Sequence, residues 1–191
     1  MTASQSAGRP RDEIASRALK DAALELVRAE GYKAVSIRAI VEAARVSRQT
    51  LYNRWQGKAE LVLDAMFEEA AQSTPFPGSD PEIPMRDQLE RFLGAVFEHM
   101  ARDGDIIRSL IAAAQEDVGF REAFHTRFVH PRERIVTELL EVAQSRDELP
   151  ADRDVAMLST FVHGAFWYRL LTGQPLDETF AREIADSVFA V

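Results

Sequence analysis

The chain of 191 residues contains no cysteine. That excludes disulfides and any metal site built on thiolates, and it fits a reducing compartment. No apolar run approaches the ~20 residues needed to span a bilayer. The opening MTASQSAGRPRDE lacks the apolar segment of a secretory signal. The expected location is therefore cytoplasmic, with no membrane partner. There is no glycine-rich phosphate loop, no HExxH and no GxSxG. The histidines form no recognisable metal-ligand spacing. No catalytic residue, cofactor or metal is expected. Period-2 alternation of useful length is also missing, as are internal repeats and low-complexity tracts, so essentially no sheet is expected.

What is present is a chain 46% hydrophobic, enough for a sizeable core, and long enough for one large domain or two small ones. Its net charge of −8 conceals an asymmetry. Residues 1–58 hold 11 Lys and Arg against 6 Asp and Glu, whereas residues 59–191 hold 12 against 25. A basic head on an acidic body points to a polyanionic partner for the head alone.

Within that head, SIRAIVEAARVSRQTLYNRW (residues 36–55) reads as two short helices joined by a tight turn. Ser36 and Ser47 stand where N-caps belong. Val35 with Ile40, and Val46 with Leu51, have the spacing of hydrophobic staples. Ile37, Ile40, Val41 and Ala44 recur at helical spacing, and Leu51 and Trp55 make an i, i+4 apolar pair in the second helix. Turning that pair inward leaves Arg48, Gln49, Thr50, Tyr52, Asn53 and Arg54 on the remaining surface. Such donors and acceptors suit phosphate oxygens and base edges, as on the recognition helix of a helix-turn-helix. The same face would also serve a plain solvated surface helix.

Ahead of this stretch, residues 1–10 read as a disordered basic arm, with Arg9 and Arg11 around Pro10. A helix follows over 12–30, with Ile14, Leu19, Ala22, Ala23, Leu26 and Val27 as its apolar stripe and Gly31 as its C-terminal stop. Behind it, a helix is expected from Ala59 to about Ala71. STPFPGSDPEIP (residues 73–84) is a proline-rich loop or linker. This divides the chain into residues 1–72, 73–84 and 85–191. Helices are then expected over 85–102, broken at Asp103-Gly104-Asp105, over 106–115, and over 119–145 with a bend or restart at Pro131. Two more close the chain, over 152–172 and from about Asp177. The first carries two apolar stripes, one with Leu158, Val162 and Phe166 and one with Met157, Phe161, Tyr168 and Leu171. A helix apolar on two sides must be buried on two sides.

The head resembles the TetR family of transcriptional regulators. The resemblance rests on Gly31-Tyr32 after the first helix, Ser36 opening the second, Thr50-Leu51-Tyr52, Trp55 and Lys58. FWYRLLTGQPLD (residues 166–177) is similar to one C-terminal subgroup of that family. Two residues depart from the pattern: Trp55 stands where Phe is commoner, and Arg45 where the turn usually has Gly. The resemblance implies an all-α homodimer. Its N-terminal three-helix helix-turn-helix domain binds double-stranded operator DNA, and its C-terminal helical domain senses a ligand and dimerises. Ser36, Arg38, Arg48, Gln49, Thr50, Tyr52, Asn53, Arg54 and Lys58 are the candidate DNA contacts, Tyr52 and Lys58 by analogy to phosphate.

Met66, Phe92, Phe97, Met100, Ile111, Gln115, Phe124 and Trp167 are candidates to line a pocket for a small-molecule effector, though any one of these rings serves equally as core. Phe161, Tyr168, Leu171, Phe180, Ile184 and Val188 are candidates for the dimer interface. The expected function is a ligand-responsive regulator, a repressor that binds a palindromic operator and is released by its effector. The alternatives are an all-α interaction protein with a vestigial helix-turn-helix, and an enzyme, for which no constellation is visible.

Overall fold

The computed structural model describes residues 8–73 and 80–190. The described residues are all-helical, without strands. The order is α1 (Gly8–Glu30), α2 (Ile37–Ala44), α3 (Arg48–Tyr52), α4 (Lys58–Ser73), α5 (Met85–Glu116), α6 (Val118–Phe124), a π-helical turn (His125–Val129), α7 (His130–Ser145), α8 (Val155–Thr172) and α9 (Glu178–Phe189). The expected disordered arm lies outside the described residues up to position 7, and from Gly8 the chain is already helical. The centre of the proline-rich segment, 74–79, is likewise outside them.

Two compact units form. The first comprises Asp105–Phe124 with the described residues up to Ala71. The second comprises His125 onward with the described residues from Gln72 to Gly104. In the first unit α1 packs on α2 and α3. Leu19, Ala23, Val27, Val35, Ile40, Leu51, Trp55, Leu61 and Val62 are buried there. Ile14 is an exception to the expected α1 stripe and faces solvent. In the second unit α7 packs on α8 and α8 on α9. Phe97 is its central ring, stacked on Phe180 at 5.8 Å and edge-on to Phe166 at 6.0 Å, geometries that aromatic pairs favour.

The helix ends follow their capping residues. Ser36 accepts from Ala39 N–H at 3.1 Å, Ser47 from Thr50 N–H at 3.1 Å, and Asp177 from Phe180 N–H at 2.9 Å. Gly31 (φ 85°) and Gly173 (φ 71°) close α1 and α8 in the left-handed region.

Three expectations are corrected. The break at Asp103-Gly104-Asp105 does not occur, and α5 runs through it for 32 residues. A mid-helix glycine costs only about 1 kcal/mol, against the burial of Met100, Ile106, Ile107 and Leu110 on either side. Asp103 is itself buried, with its carboxylate bonded to the Arg102 guanidinium at 3.0 Å and 3.1 Å. The second correction is that α3 stops at Tyr52 rather than continuing to Trp55. Asn53 and Arg54 make a turn, though Trp55 N–H still reaches Leu51 C=O at 3.0 Å. Third, the bend expected at Pro131 is a widened π turn just before it, with proline in the first turn of α7. Proline supplies no N–H and its ring crowds the carbonyl four residues back, which the wider turn accommodates.

Candidate nucleic-acid interface

The two short helices of the head are held from beneath. Val41 C=O accepts from Val46 N–H at 3.0 Å across the turn between them. Arg45 makes that turn at φ 53°, ψ 39°, a left-handed conformation in which glycine would be unstrained. Leu51 and Trp55 are buried, while Arg48, Gln49, Tyr52, Asn53 and Arg54 are exposed and Thr50 partly so. Residues 48–55 therefore turn Leu51 and Trp55 inward and a polar face outward.

Several of those polar side chains are already paired. Gln49 Nε2 donates to Asn53 Oδ1 at 2.9 Å, one turn apart. Thr50 Oγ1 lies 2.8 Å from Ser47 Oγ, which ties it to the cap. Arg54 Nη2 is 3.3 Å from the Asp12 carboxylate at the start of α1. Arg38, on α2, donates to Glu42 at 2.8 Å. These pairs are solvent-exposed and weak, so a stronger anion can displace them. Ser36 spends its hydroxyl on the α2 cap.

Lys58 is placed differently from the rest. Its amine points inward, donating to Tyr32 C=O at 2.5 Å and Val35 C=O at 2.7 Å, and lies 4.2 Å from the Tyr32 ring centroid. Burial lowers its pKa from the ordinary lysine value, and burial raises that of Tyr32. The first residue of α4 thus pins the α1–α2 turn. A second set of ties joins α1 to α4. Lys20 bonds Asp64 at 2.8 Å and Glu68 at 2.6 Å, and Arg28 bonds Glu69 at 2.7 Å. Burial pulls the Lys20 amine down, but its two carboxylate partners more than offset this and leave it raised.

Of the eight pocket candidates, Met66, Ile111, Gln115 and Phe124 belong to the first unit and Phe92, Phe97, Met100 and Trp167 to the second. Met66, Phe92, Phe97, Met100 and Phe124 are buried, Ile111 and Trp167 are half-buried, and Gln115 is exposed. Sequence reasoning passed over Arg132 in the second unit. Its guanidinium lies 3.8 Å over the Phe128 ring and donates to Phe128 C=O at 3.0 Å. Burial pushes its pKa down to about 10. Nearby, His163 is bonded through Nδ1 to Ser159 C=O at 2.7 Å, with its ring 5.3 Å from that of Phe166. Burial lowers its pKa, with a further push from Arg132, partly countered by the Ser159 bond and Glu133.

The dimer-interface candidates separate cleanly. Phe161, Tyr168 and Leu171 on α8 are exposed, whereas Phe180, Ile184 and Val188 on α9 are buried inside their own chain. The apolar side of α9 packs within its own chain, through Phe180, Ile184 and Val188.

Comparison with known proteins agrees with this geometry. Residues 19–65 match the family described as bacterial regulatory proteins, tetR family, and residues 84–188 match the Tetracyclin repressor-like, C-terminal domain. The chain is 33% identical to the uncharacterized HTH-type transcriptional regulator YdeS of Bacillus subtilis, over 95% of this chain and 91% of that one. It is 28% identical to the DNA-binding transcriptional repressor TetR of Mycobacteroides abscessus, over 95% of each. The crystal structure of the TetR family transcription regulator SCO0332 superposes with a TM-score of 0.78 at 28% identity, covering 93% of this chain and 97% of that one.

Proposed function

Because the chain belongs to the TetR family of transcriptional regulators, we propose that it is a homodimeric repressor that binds a palindromic operator and leaves it when a small-molecule effector binds. The observation that carries the reading is the face of α3 and the turn after it: Leu51 and Trp55 are buried, and Arg48, Gln49, Tyr52 and Asn53 are turned outward. The division of labour proposed is a DNA-binding head over 1–72, a linker over 73–84 and a regulatory body over 85–191. Among the described residues no helix is long and apolar enough to cross a membrane, and a cytoplasmic site of action fits a regulator of this kind.

Arg48, Gln49 and Asn53 read base edges, since arginine pairs with guanine and amides with adenine in the major groove. Tyr52, Thr50, Arg54, Arg38 and the α2 cap at Ser36 meet phosphates and set the register. Lys58 serves the same end from beneath, by fixing the α1–α2 turn and offering the first turn of α4 to a phosphate. The effector acts from the body, where Phe92, Phe97, Met100 and Trp167 supply apolar surface. It shifts the equilibrium only through a difference in affinity between the two arrangements of the heads, and by linkage operator DNA weakens effector binding by the same factor.

The experiment is selection of bound duplexes from random DNA, followed by affinity measurements across salt concentration. A palindromic consensus is expected, with half-sites about 34–36 Å apart or a multiple of a helical turn, and log affinity falling linearly with log salt. Gln49→Ala or Asn53→Ala changes the preferred base, whereas Tyr52→Phe weakens all sequences alike. No enrichment of any sequence would leave the helix-turn-helix without its function.

A further inference from the structure

A helix of five residues cannot hold its own geometry. The aim of α3 is therefore set by whatever anchors its two ends. At the front the anchor is Ser47. At the back it is Trp55, almost fully buried, whose N–H reaches Leu51 C=O. The indole also has a polar handle. Its Nε1 donates to Asp64 Oδ2 on α4 at 3.1 Å, and the same oxygen receives the Lys20 ammonium from α1 at 2.8 Å. That ammonium lies 5.9 Å from the Trp55 ring centroid and also holds Glu68. One carboxylate oxygen thus joins α1, α4 and the exit of the reading helix. A phenylalanine at position 55 would fill the same hydrophobic site but could not make this bond.

We propose that Asp64 is a positioning residue for DNA reading, acting through Trp55: it fixes the angle at which α3 leaves the head without touching DNA itself. The inference rests on the DNA-binding function proposed above. It also makes a prediction of unusual sign. Asp64 is an acidic group on a unit that meets a polyanion, so on charge alone its removal strengthens binding. Through Trp55, its removal weakens binding.

Asp64→Leu and Asp64→Asn remove the same charge, but asparagine keeps an oxygen that the indole N–H can reach. Operator affinity of the full-length protein, on the selected palindromic duplex and well below the melting temperature, is therefore expected to be about tenfold per head weaker for Asp64→Leu than for Asp64→Asn, the scale of one hydrogen bond to a charged or strongly polar acceptor. Trp55→Phe keeps the buried ring and drops the N–H, and it is expected to lose about as much as Asp64→Leu. In the Trp55→Phe background the leucine and asparagine variants should become equivalent, because the two positions share one interaction. The slope of log affinity against log salt stays that of the parent throughout, since no phosphate contact is lost.

A purely structural Asp64 would move the melting temperature and leave these affinities alike. Equal binding by the leucine and asparagine variants, or parent-like binding by Trp55→Phe, overturns the proposal; should Asp64→Leu fail to fold, the Trp55→Phe comparison decides alone. A parent that binds no duplex in a salt-dependent way overturns the DNA-binding reading, and this one with it.

Discussion

Arg45 carries the tightest conformational demand in the head, at φ 53° and ψ 39°. An L-residue held there costs about 1–2 kcal/mol relative to a glycine, a cost partly returned because glycine has more entropy to lose on folding. Arg45→Gly and Arg45→Ala both remove the charge, so comparing them isolates the backbone. The glycine variant should be the more stable by about 1 kcal/mol in denaturant unfolding, and equal midpoints would mean that the turn does not keep its left-handed form. His163 makes a different kind of demand. Its folded-state pKa is depressed, mainly by burial, from the ordinary 6.5. A depressed histidine adds stability above its unfolded pKa and loses it as pH falls through the folded value. The stability advantage of the parent over His163→Gln should therefore shrink as pH drops below about 6.5, and a gap constant with pH would contradict a lowered imidazole pKa. These two residues were unequally legible. Arg45 stood out because it occupies a glycine position. The lowered pKa of His163 depends on what surrounds it in space, which no local pattern carries.

At the scale of elements, ends proved easier to read than interruptions. Ser36, Ser47, Asp177, Gly31 and Gly173 all cap or close the helices at the positions their chemistry suggests, because capping is local and uses the side chain of the residue itself. The continuity of α5 through Asp103-Gly104-Asp105 was not legible, since it is decided by apolar burial on both sides of the glycine rather than by its propensity. Nor was the inward turn of Lys58, a long side chain that finds carbonyls 23 and 26 residues away. The Trp55–Asp64 bond had a partial signal, because a tryptophan in a phenylalanine position brings an N–H that needs an acceptor when buried. For α3 the capping reading has a measurable consequence. Ser47→Ala removes the side-chain acceptor for Thr50 N–H, which also reaches Ser47 C=O at 3.1 Å, and the partner of the Thr50 hydroxyl. A cost of about 1 kcal/mol in global stability is expected, accompanied by weaker operator binding even where the variant is fully folded. A variant matching the parent in both would mean that tertiary packing of Leu51 and Trp55 alone holds the helix.

For the molecule as a whole, the question is which surface a second copy would cover. The two apolar stripes of α8 have different fates within one chain. Leu158, Val162, Phe166 and Leu170 are buried, whereas Met157, Phe161, Tyr168 and Leu171 remain 49%, 62%, 63% and 56% exposed. Large apolar side chains aligned on one helix face, each about half open to water or more, mark an interaction surface rather than scattered surface residues. On α9 the apolar side chains have no such second face: Phe180, Ile184 and Val188 are 9%, 6% and 4% exposed. Association should therefore centre on α8, and single charges placed on the two helices should have unlike effects. Phe161→Glu puts a carboxylate where water reaches it in the separate chain but a partner would bury it. Burying an unpaired charge is costly, so this variant should sediment as a monomer with the helicity of the parent. It should also lose most of its operator affinity, because a lone head reads one half-site instead of two in a fixed frame. Ile184→Glu buries the charge within the chain itself, so it should lose helical content rather than only dissociate. A Phe161→Glu protein that still sediments as a dimer and binds the operator as the parent does would move the interface away from α8, and with it the geometry that spaces the two heads on DNA.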